Sequence, residues 1–472
     1  MLHTTVVLAV IARVLIRPRL DPSVRLAWIM VVEALPVVGI LAYVLFGEVR
    51  LNQAEVQRMA DVRDRLTNLR EPELDVTAEP PHYALPIVAA NAAVGGMPAL
   101  TGNRIRLLEE DDGAIDRMVA AIDRAADHVH VLFYIWLPDL SGRKVAEAVA
   151  RAAGRGVECR VIVDALGSRG LVRSPLWARM QEAGAECVTA FPLGLPIVSG
   201  LFRRLDLRNH RKILVIDNRV AFSGSRNCAD MAFAVKRRFA PWVDIVMSVE
   251  GPVVRQFQSV FLADWMSYTR NDLGHMLQPV APIPPADPGD GEIAQVIATG
   301  PDRRQGSISD CLSGMLHAAR DQVVITTPYY VPDAALDAAI RSAAQRGVSV
   351  TMILPERNDS IVVGATSEGF YYGLLSAGVR IVLFRGGLLH SKIMTVDGRM
   401  GMVGSANLDR RSFELNYEVN MAVFDYEFVA ELDARQDSYV ARARAITLAE
   451  VRGWSVLRRL RNNLLALAAP LL

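Results

Sequence analysis

Short apolar runs and alanine-rich stretches alternate along the chain after residue 100, and the alternation occurs twice. In the first copy an apolar run contains Phe133-Tyr134-Ile135-Trp136, and a second contains Arg160-Val161-Ile162-Val163. The second copy has Thr327-Pro328-Tyr329-Tyr330 and Thr351-Met352-Ile353-Leu354 in the same order. Another helical stretch and another short strand follow in each. The pattern predicts an α/β fold of two similar α/β/α half-domains, each with a mainly parallel sheet covered by helices.

The amino-terminal 50 residues contain two apolar segments. The segment 27–46 is interrupted only by Glu33, and as a helix it would be about 30 Å long, the thickness of a bilayer's hydrocarbon core. The segment 2–16 is shorter, so it is consistent with a membrane span or with the apolar part of a signal peptide. We therefore expect residues 1–50 to form a multi-pass membrane anchor of transmembrane helices. A buried core helix is the alternative for 27–46.

Composition indicates the remaining boundaries. Proline and glycine are concentrated in residues 279–291, which cannot sustain a helix or strand and indicate a linker. The first copy has an extra segment around 192–207, which we interpret as a lid, a membrane-contacting loop or an inert surface loop. The predicted segments are a juxtamembrane linker (51–100), the first half (101–270), a proline-rich linker (271–293), the second half (294–450) and an amphipathic helix (451–472).

In the last segment, 451–472, leucines recur at helical spacing and arginines lie beside them, as in an amphipathic helix. Such a helix either rests on anionic lipid or docks on the protein itself, and the sequence favours neither.

One pattern of polar residues occurs in both copies. Its form is His-x-Lys, four residues, Asp, six residues, Gly-Ser-x-Asn. The chain has only four lysines, and two of them lie in these patterns. The residues are His210, Lys212, Asp217, Ser225 and Asn227 in the first copy, and His390, Lys392, Asp397, Ser405 and Asn407 in the second.

These residue types suit phosphoryl transfer. In a strand, His and Lys two positions apart share one face, and two such strands facing each other would form one site. One imidazole can attack phosphorus, the other can protonate the leaving alkoxide, and the ammonium groups can hold the developing charge without a metal. A single His-x-Lys would be better interpreted as a polar strand end, but duplication with a shared ending favours a site.

The two patterns resemble the HKD motifs of the phospholipase D superfamily, and the chain is similar to bacterial cardiolipin synthases over nearly its whole length. The similarity includes both amino-terminal apolar segments, Gly102-Asn103, Glu250-Gly251-Pro252 and Asp264-Trp265. It implies transfer of a phosphatidyl group between two phosphatidylglycerols, giving cardiolipin and glycerol through a phosphohistidine. It also implies that the enzyme works without a cofactor or metal, in the bacterial cell membrane.

The resemblance also implies residue roles. His210 would be the nucleophile and His390 the general acid. Asp244 is expected to orient the first histidine and Glu418 the second, with Glu414 as a competitor for the second position. The positions expected to hold the phosphate are Lys212, Lys392, Asn227 and Asn407, with Ser225 and Ser405 beside them.

Asp217 and Asp397 belong to the same catalytic motifs. Strand alternation, however, places them on the face opposite His and Lys. We therefore expect them to brace the turn that follows each strand.

Charge narrows the range of partners. With 52 basic and 51 acidic residues the net charge is +1, which provides no strong field for a nucleic acid. The four cysteines lack the spacing of a zinc site and are interpreted as small buried residues. The open alternatives are a phospholipase D that forms phosphatidic acid, a phosphatidyltransferase with another donor, an HKD nuclease, and a scaffold that keeps the repeat only for folding. The sequence does not indicate an oligomeric state.

Overall fold

A computed structural model describes residues 2–17, 22–48, 53–68, 80–192, 206–269, 271–277, 291–304 and 306–467. Most of the predicted linker and of the extra segment, 278–290 and 193–205, lies outside the described residues. The described residues divide into a small unit, chiefly those up to residue 57, and a large unit that contains nearly all the rest.

Three helices form the amino-terminal part of the small unit: Leu2–Ile16, Pro22–Ala34 and Pro36–Phe46. The predicted continuous helix 27–46 is therefore divided at Leu35. Proline is tolerated at the start of a helix because it has no N–H to leave unpaired there, and Pro36 occupies that position. Within the described residues, none of the helices combines the length and apolarity needed to cross a bilayer.

The large unit contains strands of both halves. The first half has β1 (Leu100–Leu107), β2 (His128–Phe133), β3 (Glu158–Asp164), β4 (Glu186–Ala190), β5 (Arg208–Asn209), β6 (Lys212–Ile216), β7 (Val220–Gly224), β8 (Trp242–Val243) and β9 (Val246–Glu250). The second half has β10 (Glu292–Thr299), β11 (Gln322–Thr326), β12 (Tyr330–Val331), β13 (Ser349–Pro355), β14 (Arg380–Phe384), β15 (Leu388–Leu389), β16 (Ile393–Val396), β17 (Met400–Gly404), β18 (Leu408–Asp409), β19 (Asn416–Val423) and β20 (Ala443–Ile446).

The remaining helices precede, connect or follow these strands along the chain. They are Gln53–Asn68, Leu85–Gly95, Gly113–Asp123, Leu140–Gly154, Arg169–Val172, Pro175–Glu182, Val254–Thr269, Ser307–Ala318, Ala334–Gln345, Ile361–Ser376, Arg410–Glu414, Tyr426–Ala441, Leu448–Arg452 and Val456–Ala466, with short 3-10 helices at Ala234–Phe239 and Gly274–Leu277. Two of them, Gln53–Asn68 and Leu85–Gly95, lie within the predicted juxtamembrane linker, 51–100.

A single sheet joins the two halves. Its order is β20-β14-β13-β11-β16-β17-β19-β10-β1-β9-β7-β6-β2-β3-β4, with β5 beside β19. The halves meet at the antiparallel pair of β1 and β10. The side chain of Asn103 stabilises this junction, since its amide donates to the carbonyls of Leu100 and Glu292 (2.8 and 3.0 Å) and its oxygen accepts from the N–H of Val253 (2.8 Å).

The expectation of mainly parallel sheets is wrong, because each half is mixed. Strands linked through helices are parallel, namely β2-β3-β4 and β11-β13-β14. The motif strands β6 and β16 instead form antiparallel hairpins with β7 and β17. A tight turn can join only antiparallel strands, whereas parallel strands need a long crossover.

The repeat extends to the helix caps. Asp139 and Asp333 end the two matching apolar runs, and each is the N-cap of the next helix. Their carboxylates accept from the N–H groups of Gly142 (3.0 Å) and Leu336 (2.8 Å). Each cap satisfies an N–H that the first helical turn leaves unpaired. The two halves thus share local structure, and each has its own buried apolar cluster.

Candidate active site

Each motif histidine follows a short strand that pairs with the other half. The strand β5, just before His210, is parallel to the start of β19, with Tyr417 opposite Asn209. The strand β15, just before His390, is parallel to β8. Each imidazole is therefore positioned by backbone from both halves, and both motifs lie at the junction of the halves.

The orienting carboxylates are exchanged between the halves. His210 Nδ1 lies 2.9 Å from Glu418 Oε2, and His390 Nδ1 lies 2.6 Å from Asp244 Oδ1. The expected pairing within each copy is wrong. The physical reason is the register of the exchanged strands, because Glu418 follows the residue paired beside β5 and Asp244 follows the residue paired beside β15.

Glu414 was the competing candidate for orienting the second histidine, and it lies in a different element from Glu418. It ends the helix Arg410–Glu414 and forms an ion pair with Arg410 at 4.0 Å. Glu418 is fully buried, whereas Glu414 is partly exposed.

The two motif serines bind the carboxylates. Ser225 Oγ donates to Asp244 Oδ1 at 2.5 Å, and Ser405 Oγ donates to Glu418 Oε2. A hydroxyl has one hydrogen to give, so in this arrangement neither serine can also donate to a phosphate. Each of the two serines, expected beside the residues that hold the phosphate, therefore fixes the carboxylate that holds a histidine.

The carboxylates are ionised. Burial alone would raise the pKa of Asp244, but His390, Lys392 and the Ser225 hydroxyl together hold that pKa well below its usual range. Burial likewise opposes ionisation of Glu418, and His210, Lys212 and Ser405 outweigh it, so its pKa is also lowered. An ionised carboxylate can only accept, so Nδ1 of each imidazole carries the hydrogen.

The imidazoles are buried and their protonation is disfavoured. Only 8 % of His210 and 4 % of His390 is exposed. Burial lowers the pKa of His210 to about 4 against the opposing charge of Glu418. Burial and Lys392 lower the pKa of His390. With Nδ1 protonated, a neutral His210 presents a free lone pair on Nε2.

Both lysines are held by the backbone of their own motif. Lys212 Nζ donates to the His210 carbonyl at 2.6 Å, and Lys392 Nζ donates to the His390 carbonyl at 2.5 Å. Burial lowers the pKa of Lys212 to about 7 and that of Lys392 to about 8. The charge of Lys392 also lowers the pKa of His210, so the two motifs interact electrostatically.

The asparagines end the motifs in buried positions. Asn227 Oδ1 accepts from the N–H of Ile135 at 3.2 Å, which fixes the orientation of its amide. The backbone N–H of Asn407 donates to Ser412 Oγ at 3.1 Å. In the part of the chain that the structure describes, Asn407 Oδ1 has no hydrogen-bond partner.

The motif aspartates bind backbone N–H groups. Asp217 accepts from the backbone N–H groups of residues 126, 127 and 128, and Asp397 from those of residues 320, 321 and 322. These segments lead into β2 and β11, so each carboxylate fixes the start of the neighbouring strand. The expected structural role is thus present, but the backbone that each carboxylate holds is the start of the neighbouring strand and not the following turn, in which both aspartates lie with a φ of 53°.

The sequence did not assign a role to three side chains next to the histidines. Tyr134 contacts the His210 ring edge-on, with the ring centroids 4.9 Å apart. Trp242 lies 4.7 Å from the His390 ring by the same measure. Arg211 forms a buried ion pair with Asp264 and donates to the Glu418 carbonyl at 3.2 Å. Tyr134 lies in the repeated apolar run, and this repetition could have indicated a functional position. No pattern in the sequence indicated Trp242 or Arg211.

The chain is similar to known proteins over most of its length. Residues 118–265 and 312–439 match the family model described as cardiolipin synthase, PLD-like domain. Residues 5–48 match the model described as phospholipase D-nuclease N-terminal. Cardiolipin synthase A of Escherichia fergusonii is 37% identical over 442 residues, covering 92% of this chain and 90% of that protein. The protein of that name in Edwardsiella ictaluri is 36% identical over 469 residues, covering 98% and 96%.

A solved structure shares the fold. Phosphatidylserine synthase of Haemophilus influenzae aligns with a TM-score of 0.57 at 14% identity, covering 82% of this chain and all of that one. Two matched half-domains and near full-length similarity assign the chain: it belongs to the cardiolipin synthase family, with the PLD-like domain.

Proposed function

We propose that this protein is a cardiolipin synthase that transfers a phosphatidyl group between two phosphatidylglycerol molecules and releases glycerol. The observation that carries the proposal is the exchange of carboxylates between the halves, His210 with Glu418 and His390 with Asp244. This arrangement provides two oriented imidazoles at one junction, as a double displacement at phosphorus requires. Relatives named cardiolipin synthase A support the choice of reaction.

In the first step, Nε2 of His210 attacks the phosphorus of one phosphatidylglycerol. A P–N bond forms, and the P–O bond to the glycerol headgroup breaks. His390 gives its Nε2 proton to the departing alkoxide, so glycerol leaves neutral. The phosphodiester's negative charge favours a protonated His390 in the complex, although burial lowers the pKa of this imidazole in the empty site.

In the second step, a hydroxyl of another phosphatidylglycerol headgroup attacks the phosphohistidine. His390 accepts the hydroxyl proton, the new P–O bond forms, and the P–N bond to His210 breaks. One phosphodiester replaces another, so the exchange is nearly thermoneutral and needs no activated donor. Lys212 and Lys392, together with the amides of Asn227 and Asn407, hold the phosphate oxygens.

Water is the competing acceptor. The burial of both imidazoles limits its access, which favours transfer to a lipid over hydrolysis. A bilayer would further supply the second lipid at high local density.

The amino-terminal helices hold the enzyme at the bacterial cell membrane as a multi-pass anchor. Support comes from the outward-facing apolar side chains of this unit, which water solvates poorly. They include Leu8, Leu15, Ile16, Leu26, Met30, Val37 and Val38.

The test is incubation of purified full-length protein in detergent with phosphatidylglycerol labelled in its headgroup and acyl chains. We expect one glycerol released for each cardiolipin formed, with little phosphatidic acid. His210→Ala should abolish both products, and Lys144→Gln, an exposed lysine paired with Asp116, is the matched control. Predominant phosphatidic acid would indicate a hydrolase, and metal-independent cutting of plasmid DNA would indicate a nuclease.

A further inference from the structure

The carboxy-terminal helix, Val456–Ala466, docks on the protein through its polar side. Asn462 is buried and its amide donates to Glu368 Oε2 at 2.7 Å. The Arg458 guanidinium binds the same carboxylate at 2.9 and 3.0 Å, and it stacks 3.9 Å from the Trp454 ring. The sequence left open whether this helix rests on lipid or docks on the protein. The structure shows that it docks on the protein, and that polar groups form the contact.

The apolar side of this helix faces outward. Five large apolar residues are between 61 and 76 % exposed: Val456, Leu457, Leu460, Leu464 and Leu467. At about 100° per residue these positions fall within one stripe about 100° wide. We call these five residues the leucine stripe. An amphipathic helix of a soluble domain normally buries that side, so this orientation is the reverse of the usual one.

Arginines lie on both flanks of the leucine stripe. Arg459 on one side and Arg461 on the other are exposed, and Arg461 also forms an ion pair with Glu368 at 3.4 Å. A cationic border around an apolar stripe matches the order of a bilayer surface, where anionic headgroups lie above the acyl chains. Lipid is thus the occupant that both the charge and the polarity of this surface fit.

A second protein copy fits this surface less well. The helix has 11 residues and is therefore about 16 Å long and about 10 Å wide, giving roughly 160 Å² of contact. Stable protein interfaces need on the order of 800 Å² from each partner. A helix lying in a membrane interface has no such requirement, because many lipids surround it.

We propose that the leucine stripe inserts into an anionic phospholipid surface, with Arg459 and Arg461 at the level of the phosphates. The helix then forms a second membrane contact, at the opposite end of the chain from the amino-terminal helices. Because its polar side binds Glu368 on the helix Ile361–Ser376, the contact holds the second half of the catalytic unit against the lipid surface.

The test uses the full chain, labelled at a single cysteine with the environment-sensitive dye NBD. The labelled protein is placed in phosphatidylcholine vesicles with or without phosphatidylglycerol. The background is Cys187→Ser, since the other three cysteines are buried. The dye is attached at Leu464→Cys, and the matched control is Leu140→Cys, a leucine 61 % exposed on another helix. Doxyl-labelled lipids report contact with acyl chains.

We expect a blue-shifted emission and strong doxyl quenching at position 464, greater with phosphatidylglycerol, and neither effect at position 140. Equal quenching at both positions, or none at 464, would overturn the proposal. A blue shift at 464 without lipid quenching would also overturn it, because protein would then cover the stripe.

A second variant separates lipid contact from folding. Leu457→Gln with Leu460→Gln removes apolar groups that touch solvent, so the melting temperature in detergent should stay the same while quenching at position 464 falls at least several-fold. A marked loss of melting temperature would contradict an exposed stripe. The outcome is independent of the reaction catalysed, because no lipid product is measured.

Discussion

An imidazole that attacks phosphorus must keep one nitrogen free of hydrogen, and a neighbouring carboxylate determines which one. In this protein Glu418 holds Nδ1 of His210 and Asp244 holds Nδ1 of His390. Each carboxylate is in turn bound by a serine of its own half. The reactive state of each histidine thus depends on residues from both halves.

The exchanged pairing predicts different defects for two conservative substitutions. Glu418→Gln should slow formation of the phosphohistidine about 100-fold or more, because His210 loses the acceptor that fixes its tautomer. Asp244→Asn should instead impair proton delivery by His390. With phosphatidyl-p-nitrophenol, whose leaving group needs no proton, rapid-quench kinetics should show a fast burst for Asp244→Asn and a slow one for Glu418→Gln. The reverse result would mean that the roles of the two histidines are interchanged.

The lysines predict an alkaline limit to substrate binding. Burial lowers the pKa of Lys212 to about 7 and of Lys392 to about 8, so the free enzyme loses these positive charges as the pH rises through this range. The KM for phosphatidylglycerol should therefore increase several-fold between about pH 7 and 9. It should be measured in mixed micelles at a fixed mole fraction, with Lys144→Gln showing the same profile. A KM that stays constant to pH 10 would contradict the lowered pKa values of the lysines.

The loss of activity at low pH has a different cause. Burial lowers the pKa of His210 to about 4 in the free enzyme, so kcat/KM should fall only when the pH approaches that value and Nε2 becomes protonated. A half-maximal kcat/KM near pH 6.5, the ordinary value for histidine, would show that the nucleophile is exposed to solvent.

At the scale of elements, each motif consists of a strand and the tight turn that leads into the next strand of the hairpin. Asp217 and Asp397 each fix a segment of backbone from the adjacent strand, and both have positive φ. Aspartate and asparagine tolerate this conformation better than most residues. The position of the aspartate in the motif thus follows from folding of the hairpin.

Substitution of these aspartates should lower stability. Asp217→Ala leaves three backbone N–H groups without their acceptor, which should cost about 1–3 kcal/mol, and Asp397→Ala should behave alike. Asn at either position should cost less, since it keeps one acceptor oxygen and tolerates positive φ. Thermal unfolding in detergent measures the difference. An unchanged melting temperature together with lost kcat would assign these residues to catalysis instead.

Particular elements show what the sequence could and could not predict. The repeated runs around Tyr134 and Tyr329 predicted two similar halves because the periodicity of apolar positions is encoded locally. The antiparallel motif hairpins were missed, since helix–strand alternation says nothing of strands joined by a turn. The exchange of Asp244 and Glu418 was also missed, because spacing along the chain contains no information on which half a side chain faces.

At the scale of the whole molecule, a duplicated half-domain explains why neither half is a complete site. The junction at β1 and β10 continues the sheet from one half into the other. The pairs β5–β19 and β8–β15 then bring each histidine to a carboxylate of the opposite half. Separation of the halves would remove both orienting carboxylates at once.

One measurement tests most directly whether His210 is the nucleophile and His390 the general acid and base. His390→Ala should be mixed with phosphatidyl-p-nitrophenol, quenched and analysed by peptide mass spectrometry. A phosphatidyl adduct should accumulate on His210, because the leaving group needs no acid while the acceptor hydroxyl has lost its base. His210→Ala under the same conditions should carry no adduct. An adduct on His390 in His210→Ala, or none on His210 in His390→Ala, would contradict the mechanism.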